Sequence, residues 1–223
     1  FVACHQPVFL ERYPMLDKAA ENAVFLLNTA LAPQDVWPSL PASMQQQLLD
    51  KHIRIYCIDA YKIAEDSGMG KRINTIMQTC FFAISDVLPG DEAIAAIKDA
   101  VQKTYGRKGK RLVELNFKAI DETLANLHEV TVPAATNASF ELASPIPETA
   151  PEFVRKVTAE IIAGRGDDIP VSLLPDDGTY PLGTAAYEKR NIGHEIPVLD
   201  ENKCTQCGNC PLVCPHGVIR SKV

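Results

Sequence analysis

Residues 53–58 read Ile-Arg-Ile-Tyr-Cys-Ile, a run rich in β-branched side chains that partly alternates between apolar and polar residues. Such a run predicts a strand buried in a sheet. Shorter apolar runs at residues 1–3 and 24–27 predict two more strands, and the residues between them predict helices, for example around 10–22 and 42–51. Strands that alternate with helices predict βαβ units and a mostly parallel sheet.

Three helices in succession are predicted after this region, at about 72–87, 91–105 and 110–128. In each of them apolar residues recur at spacings of three and four, which places them on one helical face. Three consecutive helices after an α/β region indicate a cap, or a layer against a neighbouring subunit. The Gly68-Met69-Gly70 stretch before the first helix favours a tight turn over an anion site, because it lacks the rest of a dinucleotide-binding fingerprint.

The chain becomes irregular after residue 130. Several prolines and small polar residues at 130–150 predict a linker, since they suit neither a helix nor a central strand. One short helix is predicted at 152–163, and Gly, Pro and Asp then predict extended chain that lies on other structure.

Composition excludes several classes of protein. Of 223 residues, 46% are hydrophobic and 22% are charged, as in a soluble globular protein. The net charge of −6 gives no support for a nucleic-acid surface. No run approaches the roughly 18 apolar residues of a membrane helix, and no signal peptide is visible. We therefore expect a cytoplasmic protein with reduced thiols.

The missing initial Met and the metal motif near the last residue lead us to expect a chain cut at both ends.

The chemistry lies in a cysteine motif with the spacing C-x2-C-x2-C-x3-C-P. Its predicted metal ligands are Cys204, Cys207, Cys210 and Cys214. This spacing is typical of a 4Fe-4S cluster, whose fourth cysteine ligates the other cluster in two-cluster ferredoxins. Gly208 permits unusual backbone angles in the loop, and Pro215 suits the first turn of a helix opened by Cys214. Structural zinc is the alternative, but it prefers C-x2-C pairs separated by a longer insert.

The site is predicted to be incomplete within this chain. Three cysteines would hold one cluster and Cys214 would give a single ligand to another, and no second cysteine run is present. We expect neither cluster to be fully held unless a partner or further sequence supplies the remaining ligands. The other three cysteines lie outside this motif. Cys57 and Cys80 lie on apolar faces and are interpreted as core residues, and Cys4 precedes His5. His216 is interpreted as capping the cluster helix or packing against it.

Four stretches carry a resemblance to a known family. Residues 72–82 read Arg-Ile-Asn-Thr-Ile-Met-Gln-Thr-Cys-Phe-Phe, 103–109 read Lys-Thr-Tyr-Gly-Arg-Lys-Gly, 127–130 read Leu-His-Glu-Val, and 184–192 read Thr-Ala-Ala-Tyr-Glu-Lys-Arg-Asn-Ile. In this order they resemble the pyruvate:ferredoxin (flavodoxin) oxidoreductases, over nearly the whole chain. The resemblance implies a gamma-subunit-like α/β domain with C-terminal helices, an extended irregular segment named after its Glu-Lys-Arg, and half of a two-cluster ferredoxin fold.

The domain boundaries follow from this reading. We expect the C-terminal part of the gamma-like domain at 1–130, the linker and Glu-Lys-Arg segment at 131–198, and the start of the ferredoxin domain at 199–223. Glu188, Lys189 and Arg190 are interpreted as an interdomain contact with Tyr187 as its anchor. A basic run is interpreted as a solvated helix corner in preference to a phosphate site: Lys103, Arg107, Lys108, Lys110 and Arg111.

The resemblance also implies a reaction. The family decarboxylates pyruvate oxidatively on thiamine diphosphate with Mg²⁺, transfers the acetyl group to coenzyme A, and passes electrons through 4Fe-4S clusters to ferredoxin or flavodoxin. It further implies a homodimer whose thiamine and pyruvate sites lie in other domains of the same enzyme. No catalytic residue and no organic-cofactor ligand is therefore assigned in this chain, and the chain alone is expected to be inactive. The alternatives are a non-enzymatic ferredoxin-type electron carrier fused to an α/β docking domain, and an oxidoreductase for another 2-oxoacid.

Overall fold

The computed structural model describes residues 1–221 except 12, 143, 145 and 189–195. The chain divides into two compact units, Phe1–Asn191 and Ile192–Val223. The first unit contains the sheet and nearly all of the regular structure. The domain boundaries predicted within it, at 130 and 131, stay predictions.

A four-stranded sheet forms the centre of the first unit, in the order β1-β2-β3-β4. Its strands are β1 (Val2–Cys4), β2 (Val24–Asn28), β3 (Arg54–Ile58) and β4 (His128–Val130). The first three strands are parallel, with Phe25 opposite Ile55, and β4 runs antiparallel to β3. The three predicted strands and the mostly parallel sheet are thus confirmed. The strand β4 was not predicted, because three residues are too few to show a strand period.

One face of the sheet is covered by the connections from β1 to β2 and from β2 to β3. These contain α1 (Pro33–Val36) and α2 (Ala42–Asp50). The helix predicted at 10–22 is wrong: a 3₁₀ turn at Pro7–Glu11 and further turns stand there. Pro14 lacks an N–H and breaks a helix, and Asn22 is left-handed at φ 56°. The core on this face comprises Phe25, Leu27, Ile55, Trp37, Leu40 and Leu48, together with ten further buried side chains.

Four helices form the layer on the other face: α3 (Ala60–Asp66), α4 (Asn74–Ile84), α5 (Gly90–Tyr105) and α6 (Lys110–Asn126). Leu26 and Ile58 point to this side, opposite to Phe25, and pack with Ile76, Cys80 and Ala119. The three predicted helices are confirmed, and α4 and α6 pack directly on the sheet. The helix α3 was not predicted.

A tight turn follows α3, as predicted for Gly68-Met69-Gly70. Gly68 is left-handed at φ 78°, and the Met69 N–H donates to the Ala64 carbonyl oxygen at 2.7 Å. A Cβ at Gly68 would lie 3.3 Å from the Leu115 side chain. Glycine is therefore required here both by the backbone angle and by the close packing of α6.

Parts of the described chain between 131 and 188 contact the α/β core. The Gln45 side chain, which is fully buried, accepts N–H bonds from Asn137 (2.8 Å) and Ala138 (3.1 Å) and so fixes the linker. The short helix predicted at 152–163 is present, but its residues Val154–Thr158 form a π-helical turn before α7 (Ala159–Ile162). A small apolar cluster of Ile146, Ala150 and Val154 lies beneath it.

The second unit contains one short helix, α8 (Asn209–Val213), among its described residues 196–221. None of these described residues is buried. The predicted helix that Cys214 would open is wrong, because Cys214 instead ends α8 in an extended conformation with φ −68° and ψ 110°. A left-handed Gly217 at φ 61° then turns the chain.

Candidate iron–sulfur site

The cysteine motif lies in the second unit, on both sides of α8. Cys204 and Cys207 precede the helix, Cys210 lies in its first turn, and Cys214 follows its last residue. The first three are exposed and Cys214 is half-buried, and none forms a disulfide. The residues on either side of Cys207 have left-handed backbone angles, Gln206 at φ 57° and Gly208 at φ 73°. These angles turn the chain on both sides of Cys207.

Hydrogen bonds to sulfur distinguish two of the thiols. The pKa of the Cys207 thiol is lowered by the Asn209 backbone N–H and, to a smaller extent, by the Thr205 hydroxyl. The pKa of Cys214 is lowered by backbone N–H groups, first that of Ile219 and then that of His216. Donors aimed at a sulfur favour its thiolate form, which is the form that binds metal. The sequence did not predict Thr205 or the turn after Cys214 as sulfur partners.

These residues fit an iron–sulfur cluster in their chemistry. The donor set is all thiol, and backbone N–H groups already approach two sulfurs, as in protein sites that bind such clusters. The structure does not bring the ligands together: within residues 1–221, apart from the gaps given above, no three His, Cys, Asp or Glu side chains converge on a position that could hold a metal ion. Assignment of the four cysteines as ligands therefore stays a proposal.

The three other cysteines belong to the core. Cys4, Cys57 and Cys80 are at most 2% exposed. Burial raises the pKa of Cys4 and Cys57 to about 11 and that of Cys80 to about 12. The interpretation of Cys57 and Cys80 as core residues is thus confirmed, and a thiol held this strongly protonated is a poor ligand or nucleophile.

The structure describes only some of the other residues that the sequence singled out. Tyr187 is half-buried and packs on the apolar cluster beneath the 152–162 helix, within the first unit. Lys189 and Arg190, which we interpreted as an interdomain contact, lie outside the described residues. The basic run lies at the α5–α6 corner, where Lys103 pairs with Asp99 at 2.6 Å. No described helix is both long and apolar enough to cross a membrane.

Three successive parts of the chain match profiles of known protein families. The sequence profile of "Pyruvate ferredoxin/flavodoxin oxidoreductase" matches residues 1–125, more than half of the chain. The chain belongs to this family. A domain of unknown function named EKR matches residues 139–193, and a 4Fe-4S binding domain matches residues 197–220. The match to the 4Fe-4S binding domain covers all four cysteines of the motif.

Individual relatives agree with the family assignment. A putative pyruvate-flavodoxin oxidoreductase of Synechocystis is 54% identical over the whole chain, and the pyruvate-flavodoxin oxidoreductase of Trichormus variabilis is 50% identical. The chain spans only 19% of the length of either relative. The solved pyruvate oxidoreductase subunit PORC of Thermotoga maritima has a TM-score of 0.41 at 15% identity, over 56% of this chain and 61% of that one.

Proposed function

We propose that this chain is the electron-conducting part of an enzyme that oxidises pyruvate. One observation carries the proposal: an oxidoreductase family match and a 4Fe-4S binding domain follow each other in a single chain. In the whole protein, pyruvate and coenzyme A would give acetyl-CoA and CO₂, with release of two electrons and one proton. Ferredoxin or flavodoxin would accept the electrons, as the family name indicates. Another 2-oxoacid would leave the role of this chain unchanged.

Residues of this chain would ligate the clusters that conduct the electrons. Cys204, Cys207 and Cys210 would ligate one 4Fe-4S cluster, and Cys214 would give one ligand to a second, as the spacing indicates. The clusters would supply one-electron chemistry. The pKa of Cys207 is lowered by the Asn209 N–H and, to a smaller extent, by the Thr205 hydroxyl. Hydrogen bonds to the sulfurs are one of the factors that set the reduction potential of a cluster.

Other components would come from the rest of the enzyme. Thiamine diphosphate with Mg²⁺ and the pyruvate site would lie in domains that this chain does not include, and a homodimer in the cytoplasm is the expected assembly. No catalytic residue is assigned to this chain. Its α/β domain would serve the part of the enzyme associated with coenzyme A.

The test is Cys207→Ser in the whole enzyme, with Cys57→Ala as the control. We expect C207S to slow electron transfer to ferredoxin or flavodoxin far more than it weakens pyruvate binding, because the loss is confined to the electron path. C57A removes a core thiol and should leave iron content and electron transfer unchanged. Equal loss of electron transfer and pyruvate binding in C207S would count against a purely conducting role.

Cluster content provides a second test. After anaerobic reconstitution, the 223-residue chain should bind less than one full cubane cluster, because its motif divides its ligands three and one. Iron and sulfide analysis with electron paramagnetic resonance measures this. Two stable clusters per chain would contradict the proposed division of ligands.

A further inference from the structure

Residues 166–182, which we call the arm, lie inside the domain of unknown function that matches residues 139–193. This fully described stretch contains two short 3₁₀ turns, Gly166–Asp168 and Val171–Leu173, and no other helix or strand. Connecting chain longer than about 12–15 residues without regular structure is uncommon in compact domains, and it is usually either functional or disordered. The contacts of the arm decide between these two.

Local contacts hold the arm in shape. The Leu174 N–H donates to the Val171 carbonyl oxygen at 3.0 Å. The Asp177 carboxylate accepts hydrogen bonds from the backbone N–H and the hydroxyl of Thr179, at 2.9 and 2.8 Å. Three prolines with a fixed φ restrict the backbone further: Pro170, Pro175 and Pro181. The arm is therefore preorganised, which lowers the entropy that it would lose on binding.

Both ends of the arm are attached to the first unit. Just before it, the Arg165 guanidinium bonds to Glu160 at 2.7 Å. Near its other end, the Tyr180 ring contacts the Phe153 ring edge to face, with centroids 5.0 Å apart. Beyond the arm, Tyr187 packs on the small apolar cluster beneath the 152–162 helix. These attachments fix the place at which the arm presents its side chains.

The apolar side chains of the arm are nevertheless in water. Leu182 is 100% exposed, Val171 82% and Leu174 43%, and none of residues 163–188 is buried. Leu182 stands between Pro181 and Gly183, which is left-handed at φ 82°, so a turn presents its side chain. Single exposed apolar residues are ordinary in soluble proteins, but their concentration in one fixed segment indicates an interaction surface.

The charge of the arm specifies the kind of surface that it fits. Its charged residues are all acidic, and residues 166–188 contain no lysine, arginine or histidine. The acidic side chains of the arm are exposed and lie on both sides of Val171 and Leu174: Asp167, Asp168, Asp176 and Asp177. A complementary surface would offer an apolar depression bordered by basic side chains.

The length of the relatives indicates where such a surface lies. They match this chain along its whole length, but the chain spans only 19% of theirs. We propose that the arm docks on an apolar, basic-bordered surface in another part of the same enzyme, and that joining these parts is a role of the domain of unknown function. The inference rests on the proposed function, in which this chain is one part of a larger enzyme. Leu182 would insert into the depression, with Val171 and Leu174 packing beside it.

The test compares hydrogen exchange of the arm in the whole enzyme and in the 223-residue chain. We expect the amides of residues 166–182 to exchange at least about tenfold more slowly in the whole enzyme, because docking protects them from water. Leu182→Asp should return their exchange in the whole enzyme to the rate in the 223-residue chain. It should change nothing in that chain, where Leu182 is already in water. Val87→Asp is the matched control, since Val87 is 62% exposed but lies outside the arm, and it should leave exchange of the arm unchanged.

Photo-crosslinking from position 182 identifies the partner. With p-benzoylphenylalanine in place of Leu182, irradiation of the whole enzyme should join the arm to a peptide outside residues 1–223, in a product with the mass of one polypeptide. A product of twice that mass would place the partner on a second copy. Crosslinks within residues 1–223 would make the arm part of the fold of this chain. Either result overturns the proposal, and so does an arm that exchanges equally fast in the whole enzyme and in the 223-residue chain.

Pyruvate oxidation by the unaltered whole enzyme tests the proposed function separately. A protected arm in a protein that does not oxidise pyruvate would refute the proposed function and leave the docking intact. Pyruvate oxidation by a protein whose arm is unprotected would refute the docking alone.

Discussion

The Lys18 ammonium donates a hydrogen bond to the Gly164 carbonyl oxygen at 2.6 Å, joining residues 146 positions apart. Next to this contact, Arg165 bonds to Glu160 at 2.7 Å and lies 3.9 Å from Asp17. The end of the 152–162 helix is thus attached to the α/β core by charged contacts. These groups are partly exposed, so the contacts contribute little free energy and mainly fix position.

Apolar packing should account for most of the attachment of this helix. Val157 is 1% exposed, and Val157→Ala removes two buried methyl groups. We expect the free energy of unfolding to fall by about 1–3 kcal/mol. Hydrogen exchange should show the loss first at residues 150–163. Val171→Ala is the matched control because Val171 is 82% exposed, and a similar loss in both variants would refute the assignment.

The linker should depend on one buried amide. Gln45 accepts two backbone N–H bonds from the linker and donates to the Trp37 carbonyl oxygen at 2.7 Å. Gln45→Ala leaves these groups without a partner, at a cost of about 1–3 kcal/mol for each that stays buried. The control is Gln46→Ala, because the Gln46 side chain is exposed and bonds to Asp50, one turn along the same helix. Denaturant unfolding measures both, and equal stability of the two variants would be the contrary result.

The turn after α3 should not tolerate a side chain. Gly68→Ala places a Cβ at a left-handed position and 3.3 Å from Leu115, so we expect a loss of about 1–2 kcal/mol in unfolding free energy. Gly90→Ala is the control, since its backbone angle is ordinary and the added Cβ would meet no side chain or backbone beyond its own turn within 4 Å. Thermal unfolding should separate the two clearly. A G68A protein as stable as G90A would disprove the steric argument.

The core thiols make stability depend on pH in the alkaline range. The folded pKa values of Cys4 and Cys57 are about 11 and that of Cys80 is about 12, against about 9 when unfolded. Above pH 9 the unfolded chain loses these protons while the folded chain keeps them, so their contribution to stability is full below pH 9 and is lost between pH 9 and about 12. Each thiol contributes a slope of up to about 1.4 kcal/mol per pH unit.

Removing one of these thiols tests the linkage directly. Cys80→Ala should reduce the slope of unfolding free energy against pH above pH 9 by the contribution of one proton. This holds whatever the substitution does to stability at pH 7. Denaturant unfolding at several pH values between 8 and 11 measures the slope. An unchanged slope in C80A would show that Cys80 ionises equally in both states.

Reactivity toward a maleimide should separate the four cysteines of the motif from the three cysteines of the core. In the cluster-free folded chain, a maleimide should modify Cys204, Cys207, Cys210 and Cys214, which are exposed or half-buried. Cys207 should react early because its pKa is lowered. The three core cysteines should react only after unfolding. Mass spectrometry of a time course shows the order, and early modification of Cys80 would contradict the burial.

Much of the fold could be predicted because its signals are local. The strand at β3 and the apolar spacing on α4 are visible in single windows of sequence. The seven residues of α3 are too few to show a helical period. Asn28 could not be predicted either: its amide bonds to the His5 carbonyl oxygen and to the Ala60 N–H, two contacts that exist only once the strands are paired.

At the candidate site too, one part could be predicted from the sequence and another could not. The spacing of four cysteines predicts the iron–sulfur motif by itself. The groups that stabilise the thiolates could not be predicted, because the approach of Thr205 and Asn209 to the Cys207 sulfur depends on the left-handed Gln206 between them. Such an angle is uncommon outside glycine, and only its surroundings determine it.

In the 223-residue chain by itself, none of the described residues 196–221 is buried, and this has a consequence for proteolysis. A segment without a hydrophobic core gains its order from what it binds, as small metal-dependent domains do. A protease added to the purified, iron-free 223-residue chain should therefore cut between residues 196 and 221 before it cuts the α/β core, since cleavage follows the fraction of time a segment is open.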